Sequence, residues 1–262
     1  MSDLPFRVGG QTGAAGKEAT RRYCCPDKPD LPLIAEFDSI RSGVNFRRRK
    51  CNVVQVGKDL LGGVPEHVWA VRKLDNDSVV SGMIVETEAY CGRDDKASHS
   101  FGNKKTERNA AMFMKPGTAY VYIIYGMYHC FNISSQGEGA AVLIRAVQPL
   151  TGVDRMKVQR GQRRGDKGAD LKTEQLGNGP SKLCQALHID KDTVNQEDLT
   201  TCPFIWLEPG EDVKDSDIIH STRIGIDSSG EEWAKKPWRF YVKGNRSVSI
   251  RDKKAEKETE KL

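Results

Sequence analysis

The chain has 262 residues, 37% of them apolar and 29% charged, with a formal net charge of +5. That length suits one large domain or two small ones, and the composition supports a packed core. No apolar run stands at the N-terminus and none is long enough to span a bilayer, which excludes the secreted and membrane-spanning classes and predicts a soluble intracellular protein. Seven cysteines lack C-x-x-C pairs and histidine-ligand spacing, so they predict free thiols in a reducing compartment and no zinc site. Cys91, Cys130 and Cys184 read as small core residues.

Residues 1–30 are polar and glycine-rich and read as a disordered N-terminal tail. Residues 31–250 read as one continuous domain, and residues 251–262, which alternate Lys and Glu, as a charged tail or a frayed helix. Val53 to Gly63 predicts a short helix ended by glycine. Two strands follow, His67 to Leu74 and Val79 to Glu88, joined by the turn sequence "DNDS". "TERNAAMFM" predicts a short helix capped by Thr106. "KPGT" places Pro116 and Gly117 as a type II turn requires. Strands are predicted at Ala119 to Ile124, Tyr128 to Ser134 and Ala141 to Ala146. The segment 157–175 has few apolar residues and reads as a mobile basic loop. "NGPSKLCQAL" predicts a helix with Leu183, Cys184 and Leu187 on its apolar stripe, and "RIGI" and "WRFYV" read as late strands. Strands dominate and are sequential, so the expected fold is mixed α/β (α+β): a curved antiparallel sheet core with surrounding helices.

Several residues stand out within this frame. Tyr122, Tyr125 and Tyr128 recur at every third position, which one face of a regular strand cannot accommodate. A hairpin resolves this, with Gly126 in the turn, Tyr125 and Met127 at the tip, and Tyr122 and Tyr128 on the two strands. The tip aromatic either folds back onto the domain or serves as a wedge for another surface, nucleic acid above all. Basic residues cluster at Arg47 to Lys50, at Lys104, Lys105 and Arg108, and from Arg155 to Lys167; each cluster is either solvated surface or a footprint for a polyanion. In "VETEAY", Glu86 and Glu88 share a strand face; both are rim carboxylates, or one is a partly desolvated general base. Arg145 sits amid apolar neighbours in "VLIRAV" and either reaches solvent or pairs with a buried anion. His99 and Asn132 are equally readable as structural or as site residues.

Taken together, "GMIVETEAY", "ASHS", "RNAAMFMKPGTAYVYIIYGMYHCFNISSQGEGAAVLIRA", "LGNGPSKLCQAL" and "KPWRFYV" resemble the alkyladenine DNA glycosylases, also called N-methylpurine or 3-methyladenine DNA glycosylases. The resemblance covers roughly Leu31 to Ser249 and keeps the family's motif order and spacing. It implies a single catalytic domain over 31–250 with a protruding, DNA-intercalating β-hairpin. It also implies that Glu88 is the catalytic general base and that Arg145 positions the carboxylate and its water. Tyr90, His99 and Tyr122 would grip an extruded base, and Asn132 would clash with a guanine 2-amino group. Tyr125 would fill the gap left by the base, while Met127, Tyr128, Lys104 and Arg108 would contact DNA; Lys104 stands where relatives carry arginine. Glu86 receives no role.

The activity implied is a monofunctional one, in which alkylated or deaminated purines such as 3-methyladenine, 7-methylguanine, ethenoadenine and hypoxanthine are flipped from duplex DNA and cut at the N-glycosidic bond. No metal or cofactor is implied. The partner implied is damaged double-stranded DNA, with base-excision-repair proteins recruited through the tails. The resemblance also implies a monomer without a membrane, in the nucleus and with mitochondria as a second compartment. A non-catalytic damage binder and an RNA-binding protein are the competing readings, since either would use the same aromatics and basic patches.

Overall fold

The computed structural model describes residues 57, 68–74, 78–162, 170–210 and 213–259. Among them, eight strands form one curled antiparallel sheet. The strands are β1 (Val68–Lys73), β2 (Val79–Tyr90), β3 (Ala119–Ile124), β4 (Tyr128–Ser134), β5 (Ala141–Thr151), β6 (Ile205–Pro209), β7 (Ile218–Ser221) and β8 (Arg239–Val242). Their order is β3-β4-β5-β2-β1-β6, with β8 also beside β2 and β7 beside β8. The helices are α1 (Val153–Gly161), α2 (Thr173–Leu176), α3 (Pro180–Ala186), α4 (Lys191–Val194), α5 (Glu231–Ala234) and α6 (Lys253–Thr259), with 3-10 turns between strands. The mixed α/β class and antiparallel sheet expected from the sequence are what the chain adopts.

The long strand β2 organises the sheet. Along one edge it pairs with β5; along the other it pairs first with β1, through Val79–Met83, and then with β8, through Glu86–Glu88. Ile84 and Ala89 lie five residues apart yet pack in the same core cluster. A regular strand would put them on opposite faces. The register shift between Ile84 and Glu86 removes the conflict, because a bulge inserts one extra residue and reverses the alternation. Past the bulge, Thr87 and Ala89 face the main core side, while Glu86 and Glu88 face the other way, toward Arg145. A local backbone irregularity therefore aims both carboxylates.

The main core lies between the sheet and α1–α3 and includes Ile84, Val121, Phe131, Ile144, Met156, Leu183 and Leu187. α3 follows the stripe predicted for it, burying Leu183, Cys184 and Ala186 behind a first-turn proline. β3 is an edge strand, and among the described residues its free edge is covered at one end. Asn195 Oδ1 accepts from Val121 N at 2.9 Å, and Ala119 exchanges two backbone hydrogen bonds with Gln196 and Glu197. That cover stops at Val121, so the rest of the β3–β4 pair runs on without it.

Several expectations are corrected. The segment 157–175 is helical at its two ends rather than a loop throughout: α1 continues to Gly161 and α2 begins at Thr173, with residues 162 and 170–172 outside regular structure. One buried apolar side chain, Met156, with Arg160 Nη1 bonded to Gln185 Oε1 at 2.6 Å, anchors α1 despite its few apolar residues. Arg160 is thereby removed from the solvated basic cluster. "RIGI" is not a strand: Gly225 has φ +74°, and Ile224 N donates to a side chain rather than a ladder. β6 and β7 form in stretches where no strand was expected; of the two readings for the C-terminal stretch, residues 253–259 take the helical one, with Glu256 buried. The helix expected over Val53 to Gly63 lies outside the described residues apart from Gly57, which is helical, and the N-terminal tail and "RRRK" lie outside them too. Cys130, Cys184 and Cys202 are buried, Cys91 is half-buried, and all four are free thiols. No helix among the described residues is long and apolar enough to cross a membrane.

Candidate active site

A cavity of about 470 Å³ opens between β2–β5, the turns after β2 and the loop at 224–229. Its size falls within the ~300–1,000 Å³ range of small-ligand pockets. Tyr90, His99, Tyr122, Tyr125, Asn132 and Arg145 all contribute to its lining. The structure thus brings together six residues singled out from the sequence, drawn from four strands, a loop and a turn.

Glu88 sits behind that lining, fully buried. Its Oε1 accepts from Ile224 N at 2.7 Å and forms an ion pair with Arg145 Nη1 at 3.1 Å, and its Oε2 accepts from the Tyr90 hydroxyl at 2.9 Å. Each of these donors belongs to a residue that lines the cavity. A carboxylate this deep would be strongly disfavoured without such partners, and two hydrogen-bond donors and a cation compensate for its lost hydration. Burial opposes the charge on Arg145, but the Glu88 and Glu86 carboxylates outweigh it and raise its pKa, so the guanidinium stays cationic. Burial, then the Glu88 charge, pushes the Tyr90 phenol well up, so Tyr90 is a neutral donor.

The aromatic walls are held in fixed relation. His99 Nδ1 is 2.8 Å from the Tyr120 hydroxyl, and the His99 ring meets Tyr122 edge-on at 4.7 Å between centroids. Burial, reinforced by the Arg108 charge, lowers the His99 pKa, which keeps the imidazole neutral at pH 7. Burial likewise raises the pKa of Tyr120 and Tyr122. Asn132 Nδ2 donates to Tyr120 O at 3.0 Å and Cys130 O at 3.4 Å, which orients the amide with its oxygen free of those carbonyls. The walls therefore present neutral rings, while Arg145 is the only charged lining residue among the described residues.

The β3–β4 turn answers the spacing of the three tyrosines. Tyr125 and Gly126 take φ of +51° and +70°, and Met127 N bonds Ile124 O at 3.2 Å, the backbone pattern of a type I′ hairpin turn. An aromatic side chain in that region is strained, at a cost of roughly 1–2 kcal/mol. Tyr125 is nonetheless 87% exposed, so it does not fold back onto the domain. Met127 and Ile123 are exposed beside it, and Tyr128 is half-buried. Lys104 and Arg108 are exposed, and the Arg108 guanidinium lies 5.2 Å from the centre of the Tyr122 ring without lining the cavity. Lys104 lies off the cavity; its carbonyl accepts from Asn109.

Sequence reasoning missed Asp95 and Arg223. Both are buried, and they form a two-pronged ion pair at 2.5 and 2.9 Å. Arg223 also donates to Ala89 O at 3.0 Å and lies 4.8 Å from the Tyr90 ring centre and 5.0 Å from that of Trp238. It fixes the wall that carries Tyr90 and the loop that presents Ile224 N. The signal was present, an arginine among apolar residues in "RIGI", but a strand reading turns it outward. Asp95 depends on the chain reversing after β2: Gly92 has φ +79°, and a Cβ there would collide with the Glu138 carbonyl.

The fold and site define a mixed α/β domain built around an aromatic pocket with a buried acid–arginine pair behind it. Residues 46–246 match the Methylpurine-DNA glycosylase family, and the chain belongs to that family. It is 50% identical over 192 residues to the human protein named DNA-3-methyladenine glycosylase, covering 72% of this chain and 64% of that one. It is 51% identical over 168 residues to the "Probable DNA-3-methyladenine glycosylase" of Encephalitozoon cuniculi, covering 64% and 77%. It is 42% identical over 218 residues to the "Putative 3-methyladenine DNA glycosylase" of Clostridium perfringens (strain SM101 / Type A), covering 80% and 99%. The chain spans between about half and two thirds of the length of the mammalian relatives it matches.

Proposed function

We propose that this protein is a monofunctional DNA glycosylase that extrudes alkylated or deaminated purines from duplex DNA and hydrolyses their N-glycosidic bond. The observation that carries this reading is the coincidence of three features: a cavity walled by Tyr90, His99 and Tyr122, a buried carboxylate behind it, and an exposed tyrosine at the adjoining turn. The names of its relatives support the same activity. Flipping a base costs a few kcal/mol, and stacking on an aromatic ring returns about 1–3 kcal/mol per base. A base gripped by the walls, with Tyr125 in the vacated gap, brings the exchange close to balance. Lesions that weaken pairing or stacking tip it further.

Glu88 accepts a proton from water as the water oxygen bonds to the anomeric carbon and the N-glycosidic bond breaks. The electrons of that bond leave with the purine. A cationic 3-methyladenine or 7-methylguanine leaves neutral, whereas hypoxanthine or ethenoadenine needs a proton. Arg145 holds the Glu88 carboxylate in place and balances its charge. No lysine lines the cavity among the described residues, which supports water rather than an amine as nucleophile. Borohydride should then trap no enzyme–DNA adduct.

The test is single-turnover base release from duplexes carrying one hypoxanthine, ethenoadenine or 7-methylguanine, comparing wild type with Glu88→Gln. Glutamine is isosteric, and the Tyr90 hydroxyl can turn to accept from its amide, so the variant should fold and bind. Release by wild type with loss of about 10²-fold or more in the variant is expected. Equal release by both would move the base away from Glu88, and binding without release by either would leave a damage-binding module.

A further inference from the structure

The first carboxylate of "VETEAY", Glu86, takes no part in the reaction above, yet it is as buried as Glu88. Glu86 Oε1 accepts from Arg145 Nε at 3.1 Å and from Arg239 Nη1 at 3.0 Å. Its Oε2 accepts from Ser249 N at 2.8 Å. We propose that Glu86, tied to the C-terminal stretch Ser249–Asp252, is a positioning residue that aims the Arg145 guanidinium at Glu88. The proposal rests on the glycosylase reading.

The argument begins with the shape of arginine. A guanidinium is a planar, rigid fork, so fixing one prong sets the direction of the others. Glu86 holds Nε, the Ser249 hydroxyl lies 3.4 Å from Nη2, and Nη1 is left to meet Glu88. Charge leads to the same place. Two carboxylates and two arginines share a buried region, and losing Glu86 would leave two cations around Glu88 alone. Arg145 would then be drawn off its present line.

The C-terminal stretch is part of this device rather than an appendage. Arg239 Nη1 also donates to Ile250 O at 2.8 Å, and its Nε donates to Thr222 O at 2.7 Å, just ahead of the loop that presents Ile224 N to Glu88. Asp252 accepts from Ser221 Oγ at 2.6 Å and donates through its N–H to the Tyr241 hydroxyl at 2.8 Å. Glu256 on α6, itself buried, accepts from the same hydroxyl at 3.2 Å. The charged end of the chain thus straps the network from which Arg145 is hung.

The experiment compares wild type, Glu86→Gln, Glu86→Asp and Ser249→Ala as full-length chains. Two quantities are measured with a hypoxanthine duplex under single-turnover conditions: the rate constant of base release and the fraction of enzyme that reacts. Binding to a duplex with a tetrahydrofuran abasic analogue is measured alongside. A misaimed catalytic group costs on the order of 10²-fold in rate. The expected result for Glu86→Gln is a rate constant lowered by about that much, with reacting fraction and binding near wild type. Glu86→Asp should recover part of the rate, because it restores the charge, and Ser249→Ala should lose a few-fold. An unchanged rate constant overturns the proposal, as does a smaller reacting fraction with the wild-type rate constant, which would make Glu86 structural only. If Glu86→Gln fails to fold, the other two variants decide by the same criterion. Absence of release from wild type on every lesion would overturn the glycosylase reading itself.

Discussion

Replacing Tyr125 with asparagine separates the tip's contribution to the fold from its contribution to DNA. The ring is 87% exposed, so its removal forfeits only a small part of the ~1.5–3 kcal/mol that full burial of a large apolar side chain brings. Its φ of +51° lies in the left-handed region, which asparagine tolerates better than a bulky residue does. The two effects oppose each other, and the melting temperature should move by no more than ~1–2 °C, since 1 kcal/mol shifts the Tm of a domain this size by about 2–4 °C. On DNA the loss is larger. A ring that stacks in the emptied gap contributes about 1–3 kcal/mol, so its removal lowers the extruded population by roughly fivefold to 150-fold. The assay is fluorescence of a base analogue beside an ethenoadenine, followed through single-turnover mixing, with a thermal melt of the free protein. A fall of several degrees in Tm would place the ring in the fold's packing. An unchanged extrusion equilibrium would remove Tyr125 from the flipping step.

Other perturbations test separate parts of the structure. Arg108→Gln removes a cation stacked on Tyr122, so release of cationic 7-methylguanine should rise relative to neutral hypoxanthine, by about two- to tenfold in a partly screened site. A phosphate contact alone would change both rates equally, so an unchanged ratio refutes the effect on the base. Asp95→Ala strands the buried Arg223 and should destabilise by about 3–5 kcal/mol, whereas Lys235→Ala, whose partner Glu231 is as exposed as it is, should cost under ~0.5 kcal/mol; urea melts that place the two alike would contradict the burial argument. Burial alone would raise the Asp198 pKa, but bonds from Lys115, Thr200 and Thr201 overcome it and bring it to about 2. A depressed carboxylate contributes stability above its unfolded pKa and loses it as pH falls toward the folded one, so the contribution fades between about pH 4 and pH 2. Asp198→Asn should flatten that limb of the stability profile, and an unchanged acid limb would show that the bonds carry no linkage.

What could be read from the sequence was local. β3 and β4 were legible to the residue because β-branched and aromatic runs, a Pro-Gly turn and a tip glycine mark their ends within a few positions. α3 was legible because its cap, proline and apolar stripe lie within ten residues of one another. The same local density in "VETEAY", "ASHS" and the hairpin made the family resemblance visible and singled out Glu88, Tyr90, His99, Tyr122, Asn132 and Arg145. The basic segment misled because α1 is docked by a few groups, chiefly buried Met156 and hydrogen-bonded Arg160 with Val153 packed on the core, and composition does not register so few anchors.

The fold alone decided which groups meet. Asp95 and Arg223 are 128 positions apart, Glu88 and Ile224 are 136 apart, and Glu86 and Ser249 are 163 apart. Pairings of that range leave no periodicity in the chain; they exist only once β2 forks between β1 and β8 and a bulge turns its carboxylates toward β5. The sequence by itself determined the chemical inventory and the hairpin that bears the exposed tyrosine. The tertiary structure decided that Glu86 faces the same arginine as Glu88, that "RIGI" is a wall rather than a strand, and that the charged C-terminal stretch bonds to Glu86 and Arg239 behind the site. The physical reason is that a buried charge is stable only where its partners converge, and convergence is a property of the packed sheet rather than of any segment within it.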